Sequence, residues 1–97
     1  MDLKKVILTT PITHGEQEIV EFSLRKPLGG DLRNVNLLDL LNMKVDALAI
    51  VLPRISTPSI HDVDVFKMDL ADLSAVFAEL FSFLPQNYQQ QTASSTK

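Results

Sequence analysis

Cysteine is absent from the 97 residues, so neither a disulfide framework nor a thiolate metal cluster can be built. Histidine occurs twice, at His14 and His61, far apart and without a neighbouring serine and acid at triad spacing. His14 is expected as a solvated turn residue, and no metal site, catalytic residue or cofactor is expected. Glycine occurs three times and not after Gly30, so Asp62, Asp64, Asp69 and Asp72 lack the central glycine of a calcium-binding loop. Those carboxylates read as helix caps and a solvated acidic face. Around Gly29-Gly30 there is neither a Walker pattern nor GxGxxG, and a backbone bend explains the pair. Positive charge is scarce too: nine Lys+Arg against twelve Asp+Glu give −3, with no basic block, so the footprint of a nucleic-acid binder is missing. The longest apolar run, Ala47 to Leu52, falls far short of the ~18 residues that span a bilayer. The opening Met1-Asp2-Leu3-Lys4-Lys5 starts with an acid and continues into alternating sequence, which is unlike an export signal. A soluble chain is expected.

What is present is 45% hydrophobic and 22% charged, enough for one small core. A domain of this size buries only roughly 60–65% of the surface of its unfolded chain, which makes partners or self-association useful. Val6, Leu8 and Ile12 share one parity, and Val20, Phe22 and Leu24 share another, the period of half-buried strands. With Thr13-His14-Gly15-Glu16 between them, they predict a β-hairpin whose tip is His14-Gly15. Pro27 ends the second strand, and Gly29-Gly30 makes a corner before Asp31, which can cap a helical turn. Leu37, Leu38, Leu40, Leu41, Val45, Leu48 and Leu52 predict one helix over 37–52, capped by Asn36 and stopped by Pro53. Thr57-Pro58 reads as a cap and first helical position for a short turn through Ile60 and Val63. The recurrence of Leu70, Leu73, Val76, Phe77, Leu80, Phe81 and Leu84 predicts a last helix over 70–84, capped by Asp69. Pro85 ends it, and the Gln-, Ser- and Thr-rich stretch 86–97 holds too little apolar area to repay ordering. The expected fold is α+β: an N-terminal β-hairpin packed on two main α-helices with a short connecting helical turn, a domain over 1–85 and a disordered tail over 86–97.

No constellation carries chemistry, so the candidate site is a binding surface. Phe77, Phe81 and Phe83 on the last helix exceed what a marginal core needs, and Phe83 and Phe66 fall off the main faces. Arg25 and Arg33, with Lys26, cluster around Asp31, where an internal Arg–Asp pair competes with a role as flanking charges for a partner. Phe77, Phe81, Phe83, Arg25 and Arg33 are therefore the expected partner-binding residues. The hairpin's two open edges predict homo-oligomers.

Four segments in order carry a family resemblance: Thr10-Pro11-Ile12 before a Gly-Glu turn, Leu24-Arg25-Lys26-Pro27 with Gly30 and Leu32-Arg33, Val51-Leu52-Pro53-Arg54-Ile55-Ser56-Thr57-Pro58, and Met68-Asp69-Leu70-Ala71-Asp72-Leu73. Over roughly residues 8–85 the chain resembles the tail assembly chaperones of P2-like and Mu-like contractile-tailed phages, and is most similar to the P2-like branch. Asp31 departs from the small residue that P2-like members tend to have there and matches the Mu-like Gly-Asp-Leu pattern. The resemblance implies a non-enzymatic protein of the host bacterial cytoplasm, absent from the mature virion. Such a protein coats the tape measure protein until tail tube protein replaces it. A small acidic protein with a helical groove or a spare strand edge suits that task. The resemblance also implies a partner in the frameshifted long form of the same chain, because Ser82-Phe83-Leu84 is compatible with a slippery run of T closed by G. A small regulatory interaction protein acting on a host or phage protein is the alternative.

Overall fold

Alternating apolar and polar residues over Leu3–His14 and Gln17–Arg25 form two antiparallel strands, β1 and β2. They reverse at Gly15-Glu16, where Gly15 takes φ 60°, open to glycine without steric cost. The computed structural model of the protein describes residues 3–84; the tail expected over 86–97 lies outside the described residues. A two-residue strand, β3 (Ser56–Thr57), pairs antiparallel with the end of β2, giving the order β1-β2-β3. It covers part of one hairpin edge that the sequence left open.

The β1–β2 register is broken. Ile7 faces Glu21 and Ile12 faces Ile19, so β1 places four residues between these pairs where β2 places one, Val20. The surplus around Thr9-Thr10 leaves the ladder, and on β2 the inward parity slips. Ile19 is buried and Val20, expected inside, is half exposed. The freed backbone is satisfied from a distance: Asp72 accepts from the Thr9 N–H at 2.8 Å, the Thr10 N–H at 3.2 Å and the Thr9 hydroxyl at 3.0 Å.

Asp72 belongs to α4 (Leu70–Phe81), whose N-cap is Asp69 as expected, the Asp69 carboxylate accepting from the Asp72 N–H at 2.9 Å. The helix ends at Phe81 rather than Leu84, and its last turn loosens into 82–84. The helix expected over 37–52 is two, α1 (Leu37–Leu41) and α2 (Val45–Ile55). Asn36 caps α1 as read, accepting from the Leu38 N–H at 2.9 Å. The break is a Schellman closure: Met43 takes φ 63°, its N–H donates to the Leu40 carbonyl, and the Lys44 N–H donates to the Asp39 carbonyl. Pro53 does not stop α2 but lies inside it, since Ile55 is drawn into the core and the Ser56 N–H reaches Leu52. Thr57-Pro58 opens no helix, since Thr57 belongs to β3; α3 (Asp62–Lys67) begins later, with His61 at its N-cap position.

The helices lie against the inner face of the sheet. Phe22 and Leu24 from β2 meet Leu48, Leu52 and Ile55 from α2, with Val76 and Phe77 from α4, in one continuous core. The architecture is α+β, and no helix among the described residues is long and apolar enough to cross a membrane.

Candidate partner groove

Where β2 ends, the chain turns at Lys26-Pro27, and α1 comes to lie beside the end of α4. Between them is an apolar groove of about 150 Å³ with Leu40 and Leu80 in its base. Leu37 and Leu41 form one wall, Phe81, Phe83 and Leu84 the other. The groove exists because α1 stops after Leu41: a continuous helix would have carried these leucines along a single straight face, whereas the Met43 turn lets α2 enter the core while α1 stands apart.

The expected interface residues divide. Phe81 and Phe83 are half-buried and line the groove. Phe77, one turn earlier, is only 2% exposed; it belongs to the core and supports Phe81, ring centroids 5.8 Å apart. The Lys4 ammonium stands 5.7 Å from the centre of the Phe83 ring, a cation–π contact that orients the ring and puts a positive charge at the groove's edge. Phe66 is exposed on α3, away from this groove.

Arg25 and Arg33 also part. Arg25 holds Asp31 with two parallel hydrogen bonds of 2.7 Å, and a third reaches the Arg54 carbonyl at 2.8 Å. Asp31 also accepts from the Leu28 N–H at 2.9 Å and so caps the short 3-10 turn Gly29–Leu32 from within it, and the Arg25 pair takes its role beyond the capping read from sequence. The Arg25 hydrogen bonds, with the Leu28 N–H second, pull the Asp31 carboxyl down to about 2, and the same pairing raises Arg25 above its ordinary value. Arg54 ties the corner further by donating to the Asp31 and Arg33 carbonyls, both at 2.9 Å. Arg25 thus braces the corner that follows β2, while the Arg33 side chain is exposed and makes no ion pair among the described residues. Sequence reasoning missed Leu37, Leu40 and Leu41 as groove residues because their periodicity assigned them all to a core helix.

At the other end of the hairpin the structure corrects the reading of His14. Its ring is largely engaged rather than free in solvent: Nε2 bonds Asp64 Oδ2, and the imidazole stacks on His61, centroids 4.5 Å apart and 17° from parallel. Asp64 is buried and also accepts from the His61 N–H at 3.1 Å, completing the turn that starts α3. A potential ligand atom from each of His14, His61 and Asp64 lies within 4.8 Å of the others. The spacing of the two histidines in the chain gave no sign of this meeting.

Comparison with known proteins bears on the whole domain. Residues 5–85 match the family described as phage tail assembly chaperone proteins, E, or 41 or 14. The chain is 39% identical over 85 residues to tail assembly protein E of Escherichia phage P2, covering 88% of this chain and 93% of that one. It is also 39% identical over 79 residues to tail assembly protein E' of the same phage, covering 81% of this chain but only 56% of that longer one. No solved structure matches. A match across nearly all the folded residues, core and groove together, places the chain in a family: it belongs to the phage tail assembly chaperones.

Proposed function

We propose that this chain binds the tape measure protein of its phage, keeps that long apolar-striped helix soluble in the host cytoplasm, and yields it to tail tube subunits during assembly. The observation that carries this reading is the apolar groove in a member of the tail assembly chaperones: leucines from α1 face Phe81 and Phe83, and an amphipathic helix docks into such a surface through residues one turn apart. The groove is short, so several copies along the partner would be needed to shield it, and a net charge of −3 per copy would keep the coated chain in solution. The protein acts by binding alone and leaves before the virion matures.

The relatives' two lengths support a further part of the proposal. This chain spans 93% of protein E and 56% of protein E', which fits the short form of a frameshift pair that shares the folded domain and diverges after it. The codons at 82–84 and just downstream decide this, since a sequence without any slippery run there removes the frameshift. Self-association through the sheet is proposed alongside.

The test is co-expression with the tape measure protein of the same phage. The parent should hold that protein in the soluble fraction and co-purify with it. Phe81→Asp, folded by circular dichroism, should lose most of the capture; full capture by this variant would dismiss the groove as the binding surface.

A further inference from the structure

Both histidines of the chain sit at one place, brought there by different elements. His14 is the last residue of β1, and His61 caps α3, so neither local spacing nor helix periodicity explains their meeting. Their rings are stacked at 4.5 Å beside a carboxylate that is 6% exposed. Two stacked imidazoles repel when both are protonated, whereas two neutral ones offer lone pairs that a cation can share and a buried carboxylate can balance. Asp64 is already aimed by its bond from the His61 N–H, and the i, i+3 spacing of His61 and Asp64 on the first turn of α3 keeps both on one side. The His61 side is exposed, so an ion has an entry path.

We propose that His14, His61 and Asp64 bind one divalent transition cation, with zinc the best match, and that the ion ties the hairpin tip to α3. Two imidazole nitrogens and one carboxylate oxygen are one of the ligand sets of three-ligand zinc sites, which leave a fourth position to water. Imidazole selects zinc, nickel or copper over magnesium and calcium. The ligand atoms lie within 4.8 Å of one another, and the tetrahedral spacing around zinc is about 3.3 Å. Rotation of the exposed His61 side chain closes the wider gap, and the His14 Nε2–Asp64 Oδ2 hydrogen bond gives way as both atoms turn to the ion.

Titration calorimetry of the full chain, free of any added histidines, with zinc chloride should show saturable one-to-one binding. The thermal midpoint should rise by roughly 10 °C at about a hundredfold excess over Kd. His61→Ala leaves the His14–Asp64 bond in place and removes an exposed ring, so it should fold as the parent does. It should bind zinc at least ~10-fold more weakly and lose most of the thermal shift. His14→Ala should do the same; should that variant unfold, the visible spectrum of cobalt-loaded parent against His61→Ala still decides, with the ligand-field bands of the parent lost in the variant. Failure to take up zinc at millimolar concentration, equal affinity in parent and His61→Ala, or magnesium binding as tight as zinc would each overturn the proposal.

Discussion

At the scale of single residues, carboxylates do most of the specific work, and each does it through a different partner. Asp72 is 1% exposed and takes two backbone N–H groups that the broken β1 ladder leaves free. Asp72→Ala should therefore cost about 1–3 kcal/mol in urea unfolding, since a charged acceptor serving two part-buried backbone N–H groups is lost while water can reach the exposed Thr9 and Thr10. Asp72→Asn keeps one carbonyl oxygen and should lose less. Asp31 differs in being paired with a charge. Its folded value, near 2, lies below the ordinary carboxylate value of an unfolded chain, so its contribution is fully present above about pH 4 and disappears as pH falls through 2. Asp31→Asn should be less stable than the parent at neutral pH, by on the order of 1 kcal/mol, and the two unfolding curves should converge towards pH 2. A gap that persists unchanged at pH 2 would mean that the carboxylate charge is irrelevant and only its shape matters.

At the scale of elements, the turn between α1 and α2 makes the groove, and it does so with an ill-suited residue. Met43 sits at φ 63°, where a side chain with a Cβ costs about 1–2 kcal/mol and glycine costs little beyond its unfolded-state entropy. Met43→Gly should raise stability by about 0.5–1 kcal/mol, read from the urea midpoint, because the Met43 side chain is about half exposed and little packing is lost. The same turn shows why the helix boundary was illegible: no glycine or proline marks it, and the leucine pattern runs straight through Leu41 to Val45. Where local chemistry agreed with packing, the sequence was readable, as with Asn36 and Asp69 at their helix starts and Gly15 at the hairpin. Where tertiary packing overrode it, the sequence misled. Pro53 stays within α2 because Ile55 is needed in the core, and Val20 yields to Ile19 because Asp72 can stabilise an irregular β1. Of the site, Phe81 and Phe83 were visible as surplus aromatics, whereas α1's wall required knowing that the helix breaks.

At the scale of the whole molecule, the proposed function assigns two kinds of partner to two apolar surfaces, and the two can be tested separately. The groove lies at the end of the hairpin, while Leu3 and Ile7 project from the outer face of β1, 59% and 68% exposed. With β3 covering part of the β2 edge, β1 is the outer strand on the open side of the sheet, and a second copy pairing there would cover these side chains. Light scattering of the parent at tens of micromolar should give a mass above that of a monomer. Ile7 faces Glu21 across the strand pair, so Ile7→Lys puts a positive charge opposite a carboxylate and should leave the fold intact. That variant should shift towards monomer yet still hold the tape measure protein in solution, and Phe81→Asp should do the reverse. A parent that is strictly monomeric removes the self-association, and an Ile7→Lys variant that loses capture together with its oligomers would mean that the groove works only when copies stand side by side.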